Sequence, residues 1–138
     1  LGTDEPGREA YVADLRRQAV ALGIADAVQI STPTARIAQA YAASDLVLQL
    51  SDKPEAFGRT VVEALSVGRP VLGWDHGGVG ELLRQLQPAG AVPLGDARAL
   101  GERALALLAQ PPSLPTRIPF TLQAMQRDTL RLYADLAG

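Results

Sequence analysis

The chain contains no cysteine, which excludes disulfides, thiolate metal sites and a cysteine nucleophile, and is compatible with a reducing, cytoplasmic setting. It has one histidine, His76. With no second ligand or nucleophile near it in sequence, His76 is expected to line a cleft or bond locally rather than hold a metal. No segment approaches the roughly 18 consecutive apolar residues of a membrane span, and the opening is too polar for a signal peptide. The domain is therefore expected to be soluble as written, which leaves open a peripheral membrane contact of a longer protein. Lysine is almost missing: of 13 basic residues only Lys53 is not arginine. These cations are scattered and the net charge is −2, so there is no nucleic-acid footprint. The chain opens Leu1-Gly2-Thr3, and its only methionine is Met125. It is expected to be an amino-terminally truncated piece of something longer.

What is present is an ordinary globular composition, 47% hydrophobic and 20% charged over 138 residues, enough for one domain with a sizeable core. The chain is organised around residues 52–70. Asp45 to Leu50 is an apolar run of strand length and Pro70 to Trp74 is another, so the helical pattern between them makes a βαβ unit. Val61, Val62, Ala64 and Leu65 fall on one side of that helix, and Arg59, Glu63 and Ser66 on the other. Arg59 occupies the first turn, where a cation opposes the helix dipole. A bound anion would explain it, and so would an exposed i, i+4 pair with Glu63.

Read in order, Leu1 to Gly7 predicts a strand end and turn, and Arg8 to Leu22 a helix stopped by Gly23. Ala27 to Ser31 predicts a strand, followed by a turn in which Thr34 caps a helix over Ala35 to Ala43. Beyond the central unit, Asp75 to Gly80 reads as a Gly-rich loop that permits close approach to a ligand and opens a helix around Glu81 to Leu86. A tight helix-opening turn explains the same glycines. Ala91 to Leu94 predicts the last strand, and Gly95-Asp96 caps a helix over Ala97 to Ala109 with Leu100, Ala104, Leu107 and Leu108 as its core stripe. Prolines at 111, 112, 115 and 119 break the chain before a final helix over Thr121 to Ala137. Its Leu122, Met125, Thr129, Leu132, Tyr133 and Leu136 form a stripe fit to pack on a domain face. The sum is a three-layer α/β, Rossmann-like domain. Strands near 27–31, 45–50, 70–74 and 90–94 should be parallel, and loops 31–34, 51–58 and 75–78 should converge on one edge.

Glu55-Ala56-Phe57-Gly58, then Glu63-Ala64-Leu65 and Gly68-Arg69-Pro70-Val71, resembles the Glu-x7-Glu signature of family 4 glycosyltransferases of the GT-B fold. The resemblance continues through Asp75 to Glu81 and Pro93 to Asp96 and covers that family's carboxyl-terminal, nucleotide-sugar-binding half. It implies retaining transfer of a hexosyl group from a nucleotide-sugar donor to a glycan, lipid or small-molecule acceptor, in a setting such as cell-envelope polysaccharide synthesis. It implies roles too. Glu55 would contact the transferred sugar as the catalytic carboxylate, and backbone N–H groups near Phe57 and Gly58, with Arg59 and Thr60 beside them, would bind sugar and phosphate. Glu63 would bond the ribose hydroxyls, while Ser31 and Thr32 would neighbour the base. No cofactor or metal is expected, because a helix amino terminus with Arg59 nearby offsets pyrophosphate charge.

The family's basic pair that binds pyrophosphate belongs to elements expected upstream of Leu1, as does the amino-terminal acceptor domain. The fragment alone is expected to be inactive. Two rivals remain. A GT-B-fold nucleotide-sugar epimerase would share the fold but lack the Phe-Gly-containing Glu-x7-Glu pattern, and a non-catalytic Rossmann-like interaction domain would bind no nucleotide in a calorimetric search.

Overall fold

The computed structural model describes residues 7–137. The strand end expected before Gly7 lies outside the described residues. The chain divides into two compact units, Leu1–Ile37 and Ala38–Gly138.

In the first unit, helix α1 (Glu9–Ala21) buries only Val12 and Ala19, leaving Tyr11 and Leu22 exposed. Its end is a Schellman turn. Gly23 takes φ +69°, so that its N–H reaches the Val20 carbonyl at 3.0 Å and the Ile24 N–H reaches Ala19 at 2.9 Å. A non-glycine residue would be strained at that φ. The strand expected over 27–31 does not form. Ala25–Ala27 is a 3₁₀ turn, and Val28, though extended at φ −110° and ψ 117°, joins no ladder. An apolar run is a strand only where a neighbour completes its hydrogen bonds, and the described ladders begin at Val47. The Thr34 hydroxyl accepts the Arg36 N–H at 3.0 Å, and helix α2 (Ile37–Ala42) starts two residues later than expected.

The second unit holds a parallel sheet in the order β1 (Val47–Gln49), β2 (Val71–Trp74), β3 (Ala91–Val92). Val47 pairs with Val71, and Gly73 with Ala91. These are the cores of the three strands predicted near 45–50, 70–74 and 90–94. Helix α3 (Arg59–Ser66) links β1 to β2, and α4 (Gly77–Leu86) links β2 to β3. Alternation along the strands sends side chains to two faces. Leu72, Trp74 and Val92 meet Leu107 of α5 (Ala97–Ala109) on one face, flanked by Leu46, Leu50, Leu100 and Ala104. On the other face, a Cβ at Gly73 would stand 3.0 Å from Val79 and 3.2 Å from Leu83 of α4. The three-layer expectation holds, and Val61, Val71, Leu72 and Leu83 are fully buried at its centre.

Two polar devices close the sheet. The Asp96 carboxylate accepts the Ala99 N–H at 2.9 Å, capping α5 as its sequence suggested. The other was not visible beforehand. Val71 faces away from β1 with both backbone groups, yet β3 begins pairing with β2 only at Gly73. Buried Gln87 fills the gap. Its Oε1 accepts the Val71 N–H at 2.8 Å, and its Nε2 donates to the Val71 carbonyl at 3.0 Å, so one side-chain amide stands in for a strand neighbour.

Helix α6 (Leu122–Ala137) forms where predicted, but its stripe is uncovered. Leu122, Met125, Leu132, Tyr133 and Leu136 are all exposed, so within this unit the stripe has no domain face to pack on. Phe120, just before α6, meets Phe57 edge-on with ring centroids 5.7 Å apart and planes at 79°.

Candidate functional site

The β1–α3 and β2–α4 connections leave the carboxyl ends of adjacent parallel strands, the edge at which open α/β sheets hold ligands. Two of the three loops predicted to meet, 51–58 and 75–78, do converge, through named bonds, while 31–34 belongs to the first unit. The His76 Nε2–H donates to the Ser51 carbonyl at 2.9 Å, and the Gly78 N–H donates to the Glu55 carbonyl at 2.7 Å. His76 therefore bonds locally.

The glycines of the second loop correct one expectation. Gly77 to Gly80 is the first turn of α4 rather than a loop ahead of it, and what comes close is protein rather than ligand. A Cβ on Gly78 would lie 2.7 Å from the Ala56 carbonyl oxygen and from Phe57 Cα, and one on Gly77 would lie 2.9 Å from the Glu55 carbonyl oxygen. Real Cβ contacts are not that short, so the missing side chains let α4 press its amino terminus against residues 54–58. Gly58 repeats the device from the other side. It takes φ +79° and ψ 56° as the residue before α3, and a Cβ there would sit 3.0–3.1 Å from Val79.

This packing divides the two helix termini between two tasks. The amino terminus of α4 spends its Gly78 N–H on Glu55, and the Gly80 N–H on His76 at 3.0 Å. At α3 the Val61 N–H turns back to the Gly58 carbonyl at 3.1 Å, and no side chain caps the helix. Among the described residues the N–H groups of Arg59 and Thr60 have no hydrogen-bond partner, and the dipole favours an anion there.

Of the predicted residues, Glu55, Phe57, Gly58, Arg59, Thr60 and Glu63 are gathered along this loop and helix. Glu55 is half-buried, and its carboxylate accepts a hydrogen bond from Gln49 Nε2 at the end of β1. Glu63 lies one turn into α3, where Arg59 Nη2 approaches its Oε1 at 3.2 Å. The exposed i, i+4 pair read from the sequence thus forms. With the Arg59 side chain 82% accessible, such a pair contributes little to stability, and both groups stay reachable. Ser31 and Thr32 belong to the first unit, where they are exposed in the segment between the 3₁₀ turn and α2. Sequence reasoning missed Gln49, although a polar residue inside the apolar run Leu46 to Leu50 was a visible signal.

A three-layer parallel α/β unit, with a helix amino terminus flanked by two carboxylates at its loop edge, defines a domain of Rossmann-like architecture. The chain belongs to the glycosyl transferases group 1 family, whose model matches residues 6–119. It is 33% identical over 87 residues to the N-acetyl-alpha-D-glucosaminyl L-malate synthase of Bacillus anthracis, covering 63% of this chain and 23% of that protein. It is 48% identical over 60 residues to the D-inositol 3-phosphate glycosyltransferase of Gordonia bronchialis, covering 42% of this chain and 13% of that protein. The chain thus spans less than a quarter of the length of either curated relative. Among solved structures it resembles Anabaena HepE in complex with UDP, at a TM-score of 0.69 and 30% identity over 76% of this chain and 29% of that one. HepE in complex with UDP-glucose gives a TM-score of 0.68 and 31% identity over 75% of this chain and 28% of that one. The GT-B fold expected from Glu55 to Val71 is the fold of these neighbours, and the chain is a domain of the glycosyl transferases group 1 family.

Proposed function

We propose that this domain is the donor-binding half of a two-domain, retaining, family 4 type hexosyltransferase that uses a nucleoside diphosphate sugar. The observation that carries this reading is the arrangement at α3, where open N–H groups at Arg59 and Thr60 lie between a loop carboxylate, Glu55, and a helix carboxylate, Glu63. The diphosphate would seat at the helix terminus, with the Arg59 charge nearby and no metal called for. Glu55 would accept hydroxyl hydrogen bonds from the sugar, and Glu63 from the ribose. Phe57 and Gly58 would contribute backbone, since the Phe57 ring already rests on Phe120. Ser31 and Thr32 would stand beside the base. UDP and UDP-glucose are the first ligands to test, because HepE has been captured with both.

An amino-terminal domain of the same protein would supply the acceptor site and the remaining pyrophosphate contacts, which makes this piece inactive alone. The setting this reading implies is cytoplasmic synthesis of a cell-envelope polysaccharide or a similar glycoconjugate. Among the described residues no helix is long and apolar enough to cross a membrane.

Calorimetric titration of the full-length protein with nucleoside diphosphate and with intact donor, alongside transfer rates, tests the division of roles. Glu63→Gln should weaken both ligands about tenfold, the scale of a hydrogen bond to a charged group. Glu55→Gln should leave the free diphosphate bound nearly as before while turnover falls, because a contact that strengthens as the glycosidic bond breaks shows in the rate. If Glu55→Gln weakens the free diphosphate as much as Glu63→Gln does, the assignment is wrong.

A further inference from the structure

We propose that Gln49 is a positioning residue for the Glu55 carboxylate, fixing through its side-chain amide the group that faces the transferred sugar. The inference rests on the donor-site reading above and adds a residue to it. Gln49 is the last residue of β1, placed opposite Gly73 of β2. It interrupts an apolar run. Putting an amide at a half-buried strand position costs free energy unless its groups are bonded, and its Nε2 is bonded to Glu55.

Residue 55 is consequently held at both ends. Its carbonyl accepts the Gly78 N–H at 2.7 Å, and its carboxylate accepts the Gln49 amide. A loop glutamate has three side-chain torsions and would otherwise spread over several rotamers. Misplacing a reacting group by about 1 Å costs rates of order a hundredfold. The chemistry of the partner suits the task as well. A carboxylate has about four lone-pair directions, and one amide N–H occupies one of them, leaving the others for sugar hydroxyls. An arginine in place of Gln49 would take two directions and oppose the charge. The neutral amide orients the carboxylate while leaving its charge unpaired.

The test uses the full-length enzyme in a double-variant cycle. Gln49→Met keeps length and removes the donor. It should lower kcat about tenfold, the scale of one hydrogen bond to a charged group, with nucleoside diphosphate affinity and donor KM within about twofold of the parent. In a Glu55→Gln background the same change should alter kcat less than about twofold, because the group through which Gln49 acts has gone. Should Gln49→Met fail to fold, Gln49→Glu combined with Glu55→Gln restores an amide–carboxylate pair with its members exchanged. That double variant should fold and bind nucleoside diphosphate like the parent, whereas a variant as unstable as Gln49→Met overturns the inference. Equal losses of kcat in both backgrounds, or a matching loss of diphosphate affinity, overturn it as well. If Glu55→Gln lowers transfer and Gln49→Met does not, this inference alone fails. If Glu55→Gln transfers like the parent, the reading of Glu55 fails and takes the inference with it.

Discussion

Replacing Gln87 with leucine should destabilise the domain by about 2–6 kcal/mol, because the Val71 N–H and carbonyl would both be stranded in the interior at about 1–3 kcal/mol each. The substitution keeps the apolar volume, so little of this would come from a cavity. Gln87 is 2% exposed and Val71 is fully buried, so water cannot take over the lost bonds. Chemical denaturation monitored through Trp74, the only tryptophan, measures the effect. Trp74 ends the strand whose other end Gln87 secures. A leucine variant within about 0.5 kcal/mol of the parent, the range of ordinary surface changes, would show that the amide is not a substitute strand neighbour.

Replacing Gly78 with alanine should be nearly as damaging, and it should damage the site as well. The new methyl group would stand 2.7 Å from backbone atoms of Ala56 and Phe57. Backbone cannot rotate aside as a side chain can. Overpacking of this kind typically costs about 1–3 kcal/mol, and relief requires residues 54–58 to move away from α4, breaking the Gly78 to Glu55 bond. We expect a loss of about 3 kcal/mol in stability, with weakened nucleoside diphosphate binding in whatever protein remains folded. Gly101→Ala is the control, since nothing lies within 4 Å of a Cβ there and an exposed helical glycine gains about 0.5–1 kcal/mol on becoming alanine. If Gly78→Ala melts and binds like the parent, the tight contact between α4 and the donor loop is not required.

The three strands of the second unit were legible because short apolar runs alternate there with helical stripes punctuated by Gly and Pro. The strand over 27–31 was misread for a physical reason. Ala27 to Ser31 has strand-like residues, but composition says nothing about whether a partner offers its backbone, and Val28 is extended without one among the described residues. The glycines at 77, 78 and 80 announced a close approach without saying to what. In the structure the approaching body is the loop at 54–58 for Gly77 and Gly78, and Asp75 and Arg84 for Gly80, so the pattern was read correctly and its partner was not. The stripe of α6 is a similar case, since Met125 and Leu132 repeat at helical intervals yet no described neighbour covers them. Glu55 and Glu63 were singled out by their spacing and the resemblance. Gln87 gave no signal, because a glutamine closing a helix in sequence looks like any solvated one, and only the late start of β3 reveals what it does.

The double tether on residue 55 bears on how a ligand would arrive. A flexible loop loses backbone freedom of about 1–2 kcal/mol per residue when a ligand orders it, and that cost subtracts from affinity. Here the ordering is done during folding, when α4 seats its glycines on the loop and β1 presents Gln49. The consequence concerns the temperature dependence of binding. A site ordered in advance should take up diphosphate with the small heat-capacity change of the area actually covered, and without the larger change that accompanies coupled folding. Its association should also follow one simple exponential at rates set by diffusion and charge, as far as the loop at residue 55 is concerned, because that loop is already tethered.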